Sequence, residues 1–289
     1  MFLLALLAAT AFALGTVLQQ RGTLQSEPGT GGVRFLAGLF RRPVWLLGGL
    51  ATAVGWVLQA VALHWGSLLA VQALMTLSLV IALPFGAWLT DQRITGTVWL
   101  GAAALVVGIV LFLSVGAPES GTVPPAARDW WIAGLVTAGL IGLLARAGRS
   151  RAPAHRAAAF GAAAGLCYGL QAAVTKVLTD EVGNGLVAVL TGWELYLLLA
   201  SAVVGLALGQ SALRTGVLAA AMAASYAVTL LSSVALGMAV FGESFGHGGG
   251  RLAIAAAGLV LALAGVVLLA RTPVPERGPA PAGVTPPAA

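Results

Sequence analysis

The stretch QAVALHWGSLLA, Gln59–Ala70, joins the end of one apolar helix to the start of another with hardly a turn between them. QSALRTGVLAA, Gln210–Ala220, repeats that arrangement about half the chain later. Both junctions read Ala-Leu-x-x-Gly, at Ala62–Gly66 and at Ala212–Gly216, followed by small and aliphatic residues. Two uses of one helical building block imply a doubled bundle whose functional site lies between the halves.

Composition sets the environment of that bundle. Of 289 residues, 59% are hydrophobic and 8% are charged, and the mean hydropathy is +0.97. A water-soluble domain carries roughly 25% charged residues, so this chain cannot clothe a water-facing surface. Several nearly charge-free windows reach the roughly 18 residues that cross a bilayer as helix. Strand alternation is absent, which argues against a barrel. The fold class expected is an all-α membrane protein, a polytopic bundle of about nine helices. The spans fall at roughly 2–19, 44–64, 67–90, 97–115, 130–146, 157–178, 186–208, 214–241 and 251–270.

The first span has Ala11-Phe12-Ala13, a signal-peptidase-like triplet, but no basic residue precedes its apolar run. It therefore reads as a span, not a signal peptide. Phe35–Phe40 is too short to cross and suits an interfacial position. The Pro/Ala-rich tail from Thr272 has the composition of a disordered segment. The net charge of +6 reads as orientation rather than nucleic-acid binding. Twelve Arg fall on one side of the alternating spans, against Arg128, Lys176 and Arg251 on the other. Such a bias places the first side in the cytoplasm, with the N-terminus outside and the C-terminus inside a plasma membrane. Seven of the eight Trp lie near span ends, as in aromatic belts; Trp56 lies mid-span. One Lys among fifteen basic residues, with abundant Ala and Gly, fits a GC-rich bacterial source. A single cysteine, Cys167, rules out an internal disulfide.

Aligning the two junctions lays spans 1 to 4 on spans 6 to 9. Five crossings separate corresponding spans, so the copies must face opposite ways. Inverted repeats of this kind build many secondary transporters, with the substrate site near the midplane. The organisation expected is a first repeat over 1–115, a linker with one span over 116–156, a second repeat over 157–271 and the tail over 272–289.

Polar residues inside a bilayer are costly and tend to face the bundle interior. Thr52, Trp56 and Gln59 share a face of span 2, and Gln72 and Thr76 share one in span 3. Tyr168, Gln171 and Thr175 form a stripe in span 6, with Lys176 beside it. Ser225, Thr229 and Ser232 form another in span 8, next to Tyr226. Taken alone, each Ser, Thr or Gln reads first as glue between helices. Four stripes from repeat-related spans point to one polar-aromatic cavity. The candidate substrate-binding residues are thus Trp56, Gln59, Gln72, Thr76, Tyr168, Gln171, Thr175, Ser225, Tyr226 and Thr229. Glu194 and Lys176 are the candidate coupling charges. Glu194 stands about nine residues into span 7, roughly 13 Å deep at 1.5 Å per residue, unless Trp193 marks the interface. Lys176 has three readings: snorkelling to the surface, binding an anion, or pairing with Glu194. His64, His155 and His247 lie at span ends without metal-ligand spacing. No Walker loop is found, so ATP drive within the chain is not indicated, and no nucleophile-base pair is identifiable from sequence spacing.

GWVLQAVALHWGSLLAVQALMTLSLVIALPFGAWLTDQRITGTVWLGAAALVVGIVLFL and LGQSALRTGVLAAAMAASYAVTLLSSVALGMAVFGESF resemble the two halves of the drug/metabolite transporter superfamily, EamA-like branch. The Gly242-Glu243 step before the last span matches that family. The first half has Asp91-Gln92-Arg93 there instead. LQQRG followed by RRPVWLLGG is similar to the NIPA-like magnesium transporters. The resemblance implies a non-enzymatic permease that moves a small organic solute by alternating access, with Mg²⁺ transport as the alternative. Mg²⁺ asks for hard oxygen ligands, and Glu194 is the one candidate carboxylate in the spans. Expected partners are the lipid bilayer and a small-molecule substrate, with no nucleic acid, and the resemblance leaves a homodimer open. Glu243 is also read as a residue that fixes the final helix by capping or pairing.

Overall fold

The computed structural model describes residues 1–24, 42–90, 95–116, 126–149, 152–215, 217–245 and 249–271. The interfacial piece at 35–40, Asp91-Gln92-Arg93, His247 and the tail lie outside them.

Among the described residues eleven α-helices follow one another: α1 Phe2–Leu24, α2 Pro43–His64, α3 Leu68–Met75, α4 Ser78–Thr90, α5 Gly96–Gly116, α6 Ala127–Ala147, α7 Pro153–Glu181, α8 Leu186–Thr191, α9 Trp193–Leu213, α10 Leu218–Phe241 and α11 Gly249–Arg271. A 3₁₀ turn at Val182–Asn184 joins α7 to α8. Among the described residues, nine candidate spans are long and apolar enough to cross a bilayer, with α3 and α4 counted as one. The nine expected spans are all present.

Two departures from the expected boundaries matter. The seventh span starts at Trp193, not near 186, because Gly185 at φ +97° and Gly192 interrupt the apolar run Leu186–Thr191. The third span is interrupted after Met75. There the backbone tightens: the Thr76 N–H is shared between the Gln72 and Ala73 carbonyls, and the Leu77 N–H bonds i→i−3 to the Leu74 carbonyl. The Thr76 hydroxyl also donates to the Ala73 carbonyl at 2.6 Å. Further along, Pro84 removes one amide donor inside α4.

Helix α7 is the centre of the bundle. Its span is 78% buried, while that of α6 is 11% buried and lines the periphery. Small residues explain the difference. Gly161, Gly165 and Gly169 repeat every fourth position on α7, and a Cβ at Gly165 would stand 2.5 Å from the Ser225 carbonyl oxygen of α10. In a bilayer, close backbone approach of this sort replaces hydrophobic drive between helices. The same device joins α5 to α11, where a Cβ at Gly108 would lie 2.6 Å from the Gly258 carbonyl oxygen.

Helix neighbours follow a recurring plan. Helix α1 packs on α2 and on α3–α4; helix α7 packs on α9 and on α10; α10 touches α11, and α5 lies along α11. One core cluster includes Leu69 and Val71 of α3, Ile109 and Phe112 of α5, Leu170 and Val174 of α7, and Leu230 and Val234 of α10.

Candidate functional site

The polar groups of the bundle gather where α3, α7 and the end of α10 meet. Helix α10 ends at Gly242, which takes the left-handed conformation at φ +61°. That turn sends the next residue, Glu243, back across the bundle. Its carboxylate accepts from the backbone N–H of Leu68 at 2.6 Å and of Leu69 at 2.9 Å, the first two residues of α3. The Lys176 ammonium of α7 donates to the same carboxylate at 2.5 Å. Glu243 is 2% exposed. A helix N-terminus offers four unmet N–H groups and a partial positive charge, and a carboxylate answers both. Ser67 meets a further one, its hydroxyl accepting from the Ala70 N–H at 3.2 Å.

Space for the carboxylate depends on Gly237. A Cβ there would run into the Leu69 side chain and stand 2.7 Å from Glu243 Oε2. Lys176 also lies over the Phe241 ring, 4.8 Å from its centroid, a favourable place for a cation. Trp130 packs edge-on against both Phe241 and Trp193, so aromatic rings flank the ion pair. Beside it, His64 Nδ1 meets Asp180 Oδ1 at 2.9 Å on the exposed surface.

Below the ion pair lie two buried polar atoms without a hydrogen-bond partner, Gln72 Nε2 and Ser233 Oγ. The Leu69–Gly237 approach fixes their relation. Gln72 is one turn past Leu69 on α3, and Ser233 one turn before Gly237 on α10. At 1.5 Å per residue they sit about 4.5 and 6 Å further into the bundle, on two helices that touch. Buried polar groups are nearly always paired, so each orphan is a candidate point of contact for a polar group of another molecule.

The remaining candidates are placed as follows. Gln59, Thr76, Gln171 and Thr175 are buried. Thr175 donates to the Gln171 carbonyl and Thr229 to the Ser225 carbonyl, both within their own helices. Those hydroxyls serve local backbone bonding. Tyr168 points at α9, its hydroxyl 3.3 Å from the Gly205 carbonyl oxygen, while Ser225 and Tyr226 are half-buried on α10. Trp56 is 40% exposed with its ring edge-on to Phe12 of α1, not enclosed. Glu194 is buried in the first turn of α9, which places it at a span end and not at mid-depth. Lys176 pairs with Glu243 and not with Glu194. Glu243 caps α3, not the final helix.

Sequence reasoning missed Ser233, because helical spacing from Thr229 admits both i+3 and i+4 and does not tell Ser232 from its neighbour. It also missed the destination of Glu243. A signal existed: Ser67-Leu68-Leu69-Ala70 lacks the Glu or Gln that completes a capping box, so α3 needs an acceptor from elsewhere.

By length and composition, these helices define a multi-pass α-helical membrane protein. A protein of Corynebacterium glutamicum described only as uncharacterized is 29% identical over 249 residues, covering 84% of this chain and 85% of that protein. No family model matches the chain, and no solved structure matches it.

Proposed function

We propose that the chain is a secondary transporter of the drug/metabolite type that moves a small organic solute by alternating access between α1–α5 and α7–α11. The observation that carries this reading is the recurring neighbour plan. Helices α1, α2 and α3–α4 relate to one another as α7, α9 and α10 do, and α5 meets its counterpart α11 across the middle. Equivalent sets inserted with opposite sense are the architecture on which rocking transporters are built. The interrupted third span supports the same reading. Irregular backbone at membrane depth is tolerated where it is buried or lines a cavity, and the break lies one turn from Gln72.

The solute contacts we propose centre on Gln72 and Ser233, with Gln59 and Gln171 as further amides. Neutral donors and acceptors suit a neutral or zwitterionic molecule. Lys176 and Glu243 neutralise each other beside them. Among the described residues, no group of three or more His, Cys, Asp and Glu is placed to hold a metal ion. We further propose that the N-terminus lies outside, and that Glu194 is the candidate carrier of a coupling proton.

Flux in proteoliposomes tests the reading. Saturable uptake of an amino acid, amine or similar solute that falls sharply in Gln72→Leu is the expected result. A Mg²⁺-dependent dye signal without organic uptake would favour the cation alternative instead, and no flux of either kind would sink transport altogether. Unchanged pH dependence of uptake in Glu194→Gln would remove that residue from coupling.

A further inference from the structure

We infer that the Lys176–Glu243 pair is a gate: it closes one end of the bundle over the Gln72–Ser233 site and parts when that end opens. The inference rests on the transporter reading for its purpose, but its geometry stands by itself.

Three elements meet at one carboxylate. Glu243 belongs to the segment after α10, its amide partners begin α3, and its ammonium partner rides on α7. In the proposed division α3 lies in one half and both α7 and α10 in the other. Other polar contacts between helices, among the described residues, are the exposed His64–Asp180 pair and the neutral bonds Tyr168 to Gly205 and Ser232 to Gly165. The Glu243 cluster is buried and charged. It is also the contact immediately above the two unpartnered polar atoms, about one helical turn away. Opening a path to Gln72 from this end requires the start of α3 to leave the end of α10, and that movement breaks the bonds to Leu68 and Leu69.

The arrangement has the properties of a reversible closure rather than of a permanent weld. A buried ion pair contributes little net stability because both ions lose hydration, yet it is costly to break by removing one partner. Rehydrating both partners together is cheaper than stranding either. Lys176 is 12% exposed along its side chain, and four flexible bonds let its ammonium follow the carboxylate or swing to water. The amides released from α3 would likewise be met by water entering the opened end.

Thiol accessibility tests this without any solute. Gln72→Cys is placed in the otherwise unchanged full chain, reconstituted in nanodiscs so that both faces meet the reagent. The probe is a charged, membrane-impermeant methanethiosulfonate, and labelling is read separately at position 72 and at Cys167 by peptide mass. Cys167 is buried against α9 and reports general loosening. With Lys176 and Glu243 intact, position 72 should react slowly. Adding Glu243→Gln should speed it at least about tenfold, the change that follows a shift of about 1.4 kcal/mol in a two-state equilibrium, while Cys167 stays protected. Lys176→Met leaves both amide bonds in place and should give a smaller increase. No change at position 72 in Glu243→Gln overturns the gate. So does an equal rise at both cysteines, which would make the pair a staple of the whole fold. Because no transport is measured, the gate can fail while flux persists, and flux can fail while the gate opens.

Discussion

The third span packs on α1 and the eighth on α7, yet the two are built differently. Helix α10 runs unbroken from Leu218 to Phe241, whereas the third span is two pieces, α3 and α4, parted at Thr76–Leu77. Both carry Thr hydroxyls bonded to nearby carbonyls. In α10, Thr229 reaches four residues back along a regular helix. In α3, Thr76 reaches three back, where the helix is already tightening. Similar chemistry therefore accompanies continuity in one span and a break in the other. The difference lies in what holds the ends: α10 stops at a left-handed glycine, while α3 starts on a carboxylate supplied from the end of α10 itself.

Mutations can break that contrast. The largest effect is expected for Glu243→Ala, which leaves Lys176 without its partner and two α3 amides unmet. Losing one member of a buried pair costs about 3–5 kcal/mol, seen as a clear fall in melting temperature in detergent. A melt within error of the parent would show that α3 does not need its cap. Next comes Gly237→Leu, whose side chain would invade the space of Leu69 and the carboxylate. Overpacking of this kind costs about 1–3 kcal/mol, and denaturant midpoints would register it; a neutral result would mean that α3 and α10 separate easily in the resting protein. Thr76→Ala and Thr229→Ala sharpen the comparison directly. The first should cost about 1 kcal/mol by removing the bond at the break, the second less, since the regular helix of α10 stands without its hydroxyl. Equal losses would erase the distinction between the two spans. The smallest change belongs to His64→Ala, because an exposed pair is worth about 0–1 kcal/mol, and its melt should nearly overlay the parent.

Much of the fold was legible in the residues because span length and the scarcity of charge are local properties. Nine apolar stretches of crossing length are read one at a time, and the punctuation at Gly66 and Gly216 marks two junctions. The errors arose where local pattern was ambiguous. Leu186–Thr191 is apolar enough to pass for the start of a span, which left the depth of Glu194 open; Gly192 ends that piece, so the boundary position beside Trp193 holds. Trp56 sits mid-span by count, but which side of α2 faces a neighbour depends on where α1 packs. The ion pair was half visible. Lys176 and Glu243 each stand out in so apolar a chain, but they are 67 positions apart, and their meeting depends on α7 and α10 aligning through small residues. The partner of a long-range cap is not written next to it.

The bond from Leu69 N–H to Glu243 spans 174 positions of chain, and that separation has a consequence for synthesis. A polypeptide leaves the ribosome from its N-terminus, and its early parts begin to fold before the late ones exist. The hairpin of α2 and α3 enters the membrane with its first amides still unanswered. Only when the eighth of nine spans has been inserted does the acceptor arrive. Until then the start of α3 must stay near interfacial water, the one other source of partners for those groups. The early half of this protein is therefore completed by the late half, and a nascent chain stopped short of Glu243 would carry a third span with an unfinished end.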